Sequence, residues 1–217
     1  MGTRIVLIHA VSVAMQPVQD AFARGWPEAE TVNLLEDSLS PDLEVAGELT
    51  QSLKNRIAAL ARYGMDIGAR GILFTCSAFG EAIDAVAAAA DIPVLKPNEA
   101  MFEEALEAGD RIGLLATFQP SVASMEKEFF QMAEKRGKAI ELESLWVPGA
   151  MDALRSGDGD THDRLLAQAA PNLSSCDVVM LAHFSTTRAS ASVSRAINRT
   201  VLTSPDSAVA KLKSVIV

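Results

Sequence analysis

Residues 4–22 read RIVLIHAVSVAMQPVQDAF, and residues 111–129 read RIGLLATFQPSVASMEKEF. Each stretch opens on a basic residue, passes through an apolar strand and a loop, and closes a helix on phenylalanine, Phe22 or Phe129. The shift between them is 107 residues (111 − 4 = 107). The same shift lays ILFTCSAF from Ile72 on VMLAHFST from Val179, and VL at 94–95 on VL at 201–202. A single apolar match arises easily by chance, whereas three in one order and one register mark a duplicated unit. The period is far too long for a solenoid, so two lobes are expected.

Within each unit, short apolar runs alternate with longer helical stretches, the pattern of parallel strands joined by crossover helices. The first unit predicts strands near 4–9, 30–34, 71–75 and 93–95, with helices near 13–24, 47–69 and 79–89. The second predicts strands near 111–116, 141–147, 178–182 and 200–202, with helices near 121–136, 161–170 and 187–197. NEAMFEEALEAG reads as a connecting helix ended by Gly109. SPDSAVAKLKSVIV reads as a closing helix capped near Ser204, with Pro205 at its first position. The expected fold class is α/β: two similar doubly wound lobes with parallel sheets, related by a pseudo-twofold, with an active-site cleft between them. The lobes are drawn at 1–98, joined by the returning helix 204–217, and at 99–203.

At 217 residues and 49% hydrophobic, the chain can bury a full core. Its net charge of −9 opposes nucleic acid or an anionic membrane surface as partner and points to a small solute. Two cysteines make no disulfide framework, and His9, His162 and His183 show no metal-ligand spacing, so no metal is expected. The expected compartment is the reducing cytoplasm. IVLIHAVSVAM with AFA at 21–23 imitates a signal peptide, but Gln16, Gln19 and Asp20 interrupt it, and a similar segment recurs deep in the chain. No window offers the roughly 18 uninterrupted apolar residues of a membrane span. There is no glycine-rich dinucleotide fingerprint, P-loop lysine pattern or GxSxG elbow, which disfavours nucleotide cofactors and the usual serine hydrolases. The exposed edges of two small sheets make a homodimer the expected assembly.

Ligands of doubly wound folds sit beyond the carboxyl ends of the strands. His9, Cys76, Ser77, Thr117 and residues 183–187 fall at or just past such ends, and the 107-residue shift matches Cys76 with His183. FTCSAFG around Cys76, RIGLLAT at 111–117 and the duplicated plan resemble the aspartate/glutamate racemase superfamily, which includes hydantoin racemases, maleate isomerases and arylmalonate decarboxylases. The resemblance spans essentially the whole chain. It implies cofactor-independent proton chemistry beside a carboxylate of a small substrate such as an amino acid or hydantoin. In the two-cysteine members one thiolate removes the α-proton and the opposite thiol delivers another to the other face. Here the second loop reads LAHFSTT, so that cysteine is absent and the shift puts His183 in its place.

Such a carbon acid is very weak, so the site must supply a base and stabilise an enediolate-like charge. A thiol suits the first task, because its pKa of about 8.5 can be lowered beside a helix N-terminus. Backbone N–H groups at helix starts, with Ser77, Ala78, Ser185, Thr186 and Thr187, suit the second. Arg188 offers a guanidinium to a carboxylate, against the preferred reading of a solvated first-turn residue. Cys76 has its own plain alternative, a small buried hydrophobe, but its position and the matched loop favour catalysis. For His183 the alternative is a hydrogen bond to a loop carbonyl; for Ser77 and Thr117 it is helix capping. His9 at a strand end reads better as structural than as a substrate contact, and Asn98 as a cap. Cys176 precedes its strand and reads as structural; the loop GDGDTHDRLL with His162 reads as solvated surface. The resulting expectation is a racemase or isomerase with Cys76 as acid/base group and His183 as counterpart. The alternatives are a decarboxylase or cis–trans isomerase using Cys76 alone, and a non-catalytic small-molecule binding protein.

Overall fold

The computed structural model describes residues 2–217. Its strands are β1 (Arg4–His9), β2 (Glu30–Leu35), β3 (Gly71–Phe74), β4 (Val94–Leu95), β5 (Arg111–Ala116), β6 (Glu141–Trp146), β7 (Val178–Leu181) and β8 (Thr200–Thr203). The helices are α1 (Met15–Gly25), α2 (Leu39–Ala46), α3 (Gln51–Asp66), α4 (Gly80–Ala89), α5 (Glu99–Ala108), α6 (Val122–Lys135), α7 (Ala150–Arg155), α8 (Gly159–Ala169), α9 (Ser190–Ile197) and α10 (Ser204–Ile216). Short 3-10 turns, Ser12–Ala14, Ser77–Phe79, Gln119–Ser121 and Phe184–Ala189, lead into α1, α4, α6 and α9. Among the described residues, those up to 100 with 208–217 form one compact unit, and residues 101–207 a second. Among the described residues no helix is long and apolar enough to cross a membrane.

Each unit carries a four-stranded sheet, in the order β2-β1-β3-β4 in the first and β6-β5-β7-β8 in the second. All neighbours are parallel, and the registers repeat: Ile5 pairs with Gly71 as Ile112 does with Val178, and Ile72 with Val94 as Val179 does with Val201. Strands β3 and β7 are buried throughout, which is why they read as unbroken apolar runs rather than alternating ones. The pairing outlasts the strands by one residue. Thr75 N–H donates to the Ile8 carbonyl at 3.0 Å and Ala182 N–H to the Leu115 carbonyl at 2.9 Å.

The first unit packs Val6, Ile8, Ile72 and Phe74 of its sheet against Ile57 and Ala61 of α3 and Ile83 of α4. Helix α3 approaches closely at Gly64, where a Cβ would stand 3.1 Å from Val6 Cγ1. The same unit takes the last helical turns of the chain. A Cβ at Gly71 would stand 2.8 Å from Ile216 and 3.1 Å from Leu212, and Lys213 Nζ donates to the Gly25 carbonyl at 3.0 Å. In the second unit one face of the sheet packs on α5 and α6, with Phe102 edge-on to Phe129 at 5.2 Å. The other face packs on α8 and α9 through Leu166, Val193 and Ile197.

Three local expectations are corrected. A helix was expected from residue 47, but Gly47, at φ 70°, ends α2, and α3 starts after Thr50, whose hydroxyl accepts the Leu53 N–H at 3.3 Å. Helix α7, six residues after Gly149 at φ 76°, falls where no element was expected. The cap of α10 is Thr203 rather than Ser204: its Oγ1 accepts the Asp206 N–H at 3.3 Å, so Ser204 is already helical.

Phe129 is 1% exposed and fills the α6 side of the second unit. Phe129→Ala is expected to remove about 3–5 kcal/mol of stability, read as a lower urea midpoint.

Candidate active site

In the first unit the carboxyl ends of β1, β2 and β3 are tied together by His9. Its ring is fully buried; Nε2 lies 3.0 Å from Asn33 Oδ1 and Nδ1 lies 2.9 Å from Thr75 Oγ1. An amide oxygen only accepts, so Nε2 carries the hydrogen and Nδ1 accepts from Thr75. Burial pushes the His9 pKa below its ordinary value, against the Asn33 bond, which acts the other way. With both nitrogens engaged, His9 presents no ring atom to a ligand; it braces the strand ends.

Two residues past β3, Cys76 is half-buried in extended backbone, φ −123° and ψ 119°, immediately before the turn Ser77–Phe79. Burial pushes its thiol above the ordinary value, outweighing the Ala78 N–H and the Ser40 hydroxyl that favour the thiolate. The resting group is therefore the thiol. Ser77 and Ala78 are exposed beside it. Ser40, on α2, was not anticipated, because α2 itself was not. It also lines an open depression of about 450 Å³ whose rim carries Asp37 and Glu44. That acidic rim opposes an anion there. Asn98 is buried after β4.

In the second unit His183 occupies the slot matched to Cys76, with a different backbone. Its φ of 72° and ψ of 151° lie in a region that only glycine adopts freely. Thr186 holds this turn, its hydroxyl donating to the Ala182 and His183 carbonyls. His183 Nε2 lies 2.7 Å from Ser121 Oγ, and Nδ1 is buried without a hydrogen-bond partner. The ring stands edge-on to Phe118 at 6.4 Å. Burial pushes its pKa down, against the Ala182 backbone, which acts the other way, so the resting imidazole is neutral. Thr117 and Thr187 are buried with hydroxyls that find no partner, and Ser185 is half-buried beside them in the chain. Partnerless buried hydroxyls are uncommon, and here two of them lie at strand-end loops.

Arg188 is committed within its own unit. Its Nε donates to Asp163 at 2.9 and 3.1 Å, and the guanidinium lies so close over Gly159 that a Cβ there would clash with it. His162, expected on a solvated loop, is instead fully buried in α8, with Nδ1 2.7 Å from Asp163 Oδ1. Cys176 is buried just before β7, its Sγ 4.0 Å from Glu143 Oε2, and both cysteines are free. Among the described residues no group of three or more His, Cys, Asp or Glu side chains could hold a metal.

The sequence pattern of the Asp/Glu/Hydantoin racemase family matches residues 10–212. No curated protein matches the chain by sequence. Among solved structures, aspartate racemase from Picrophilus torridus superposes with a TM-score of 0.73 at 13% identity, covering 99% of this chain and 94% of that one. Allantoin racemase from Pseudomonas fluorescens gives 0.70 at 13% identity, covering 98% and 90%. A mutant of arylmalonate decarboxylase gives 0.65 at 16% identity, covering 97% and 93%. At these identities the likeness is one of fold.

Two predictions follow from the histidines. His9 and His183 both have depressed values in the folded state, so their contribution to stability is full above the unfolded value of about 6.5 and is lost as pH falls through the folded values. Urea midpoints are expected to drop between pH 7.5 and 5, less steeply in His183→Gly. Because glycine relieves the backbone strain that alanine keeps, His183→Gly is expected to be more stable than His183→Ala by about 1–2 kcal/mol in the same assay.

Proposed function

The chain belongs to the Asp/Glu/Hydantoin racemase family, a membership that supports an enzyme of racemase or isomerase type, and on that premise we propose that it removes and returns a proton at a carbon beside a carboxylate of a small substrate, such as an amino acid or a hydantoin, without cofactor. The observation that carries this reading is that Cys76 and His183 each stand first past the matched strand pairing, which ends at Thr75 in one unit and at Ala182 in the other. Burial lowers the pKa of His183 and raises that of Cys76, so one rests as a neutral base and the other as a neutral acid. His183 takes the proton in one direction and the Cys76 thiol supplies its replacement; in the reverse direction thiolate and imidazolium exchange these tasks.

The charge that develops on the substrate needs donors that are not spent elsewhere. The hydroxyls of Thr117 and Thr187, buried without partners, and those of Ser77 and Ser185 are assigned to the carboxylate and the enediolate-like oxygen. Ala78 supports the thiolate through its N–H. Thr186, Arg188 and His9 act behind the site, through the turn, through Asp163 and through the strand ends. A second reading, a decarboxylase or cis–trans isomerase in which Cys76 alone donates a proton, is favoured by the single strand-end cysteine and by the fold likeness to arylmalonate decarboxylase.

Proton NMR in deuterated buffer with amino acids, hydantoins, maleate and substituted malonates tests both. The expected result is loss of the α-proton signal with stereochemical scrambling, reduced at least about 10²-fold in Cys76→Ala. Cys76-dependent deuteration of a decarboxylated or isomerised product would select the second reading. Silence of the unmodified protein across the whole panel would reduce it to a binding protein for small carboxylates.

A further inference from the structure

The imidazole of His183 is shut off at both nitrogens. Nδ1 is buried without a hydrogen-bond partner, and Nε2 is covered by Ser121 Oγ at 2.7 Å. Ser121 ends the turn that follows β5 and is half-buried. Its hydroxyl oxygen also lies 2.8 Å from the Phe118 carbonyl oxygen, so its one hydrogen has two acceptors. Pointed at Nε2, the hydroxyl forms the pairing that activates a serine through a neighbouring base. Pointed at Phe118, it leaves Oγ ready to accept a hydrogen from Nε2. In both settings the hydrogen-bonded path into or out of the ring runs through Oγ.

The surroundings hold this pair in place. The Ser121 N–H donates to the Phe118 carbonyl at 3.3 Å, and the Ser124 hydroxyl donates to the Ser121 carbonyl at 2.9 Å. The Phe118 ring flanks the imidazole on a third side. A serine needed only to close the turn would serve through its Phe118 bond alone. The second contact, to a residue 62 positions along the chain, is left over by that plain reading.

We infer that Ser121 is a further catalytic residue, the group through which His183 exchanges its proton with the substrate carbon. This deepens the proposed function and rests on it for the role of His183. In the forward step the substrate C–H bond breaks and its proton bonds to Ser121 Oγ, while the Oγ hydrogen passes to Nε2 of a neutral ring that holds its other hydrogen on Nδ1. The electron pair stays on the substrate as an enediolate, and the ring becomes an imidazolium. The return step runs backwards: Nε2 gives its hydrogen to Oγ, and Oγ gives its own to carbon. No oxidant, reductant or co-reactant is required.

The first test needs no substrate. The full chain is treated with phenylmethanesulfonyl fluoride and the adduct is located by peptide mass spectrometry. An Oγ–S bond forms, the S–F bond breaks, fluoride leaves, and the hydroxyl hydrogen goes to Nε2. The expected result is one sulfonyl group on Ser121, formed at least about 10²-fold more slowly in His183→Gly, a variant chosen because it removes the base while easing the backbone. No label on Ser121, or equal rates in the two proteins, overturns the inference.

The second test uses the deuterium exchange described above. Ser121→Ala and His183→Gly are each expected to slow α-proton exchange, the double variant is expected to be no slower than either, and Ser121→Thr is expected to recover part of the rate. Full exchange in Ser121→Ala with loss in His183→Gly overturns the relay and leaves the proposed function standing. Full exchange in both overturns the role of His183 itself. His183-dependent labelling of Ser121 without exchange on any panel member overturns the transfer to carbon.

Discussion

The arrangement rests on the parallel pairing of two neighbouring inner strands, β1 with β3 and β5 with β7. Each pairing is carried one residue past the strand, by Thr75 N–H on the Ile8 carbonyl and Ala182 N–H on the Leu115 carbonyl. Buried backbone must be hydrogen-bonded, and in each unit that ladder stops after Thr75 or Ala182. The first residues past it are Cys76 and His183. The proposed acid/base pair stands where the pairing ends, and the same register in both units fixes the same slot.

Within that matched slot the two units differ in backbone as well as in side chain. Cys76 sits in relaxed extended geometry, whereas His183 is held at φ 72° and ψ 151°. Such a conformation costs about 1–3 kcal/mol, and it persists because Thr186 clasps two successive carbonyls of the turn and Ser121 takes the ring. A residue with a strained backbone and a partnerless buried nitrogen is a poor choice for stability alone.

Much of this organisation was legible in the residues. A shift of 107 aligned the central strands because Arg4 and Arg111, Ile72 and Val179, and Val94 and Val201 carry the same apolar runs at the same spacing. Helix α2 escaped, although SPDLEVAG from Ser40 to Gly47 holds a proline near its start and a glycine at its end, the usual marks of a short helix. With α2 went Ser40. The partners of the site residues were not legible either. Ser121 meets His183 across 62 positions, and Arg188 meets Asp163 across 25. Those contacts come from strand order and helix packing, which residue spacing does not encode. Cys76 and His183 stand out in the sequence because each lies two residues past an apolar strand; the side chains that meet them come from other segments.

Helix α10 carries a consequence for the order in which the molecule is made. Its last turns belong to the unit that begins the chain, where Val209 approaches Gly25 and Ile216 and Leu212 cover Gly71. The unit spanning residues 101–207 is continuous and can close as soon as it leaves the ribosome. The unit synthesised earlier must wait for the cover that Leu212 and Ile216 give Gly71 until those residues have emerged. Of the two units, the one made earlier is therefore completed later, and it is the one longer exposed to aggregation and to chaperones.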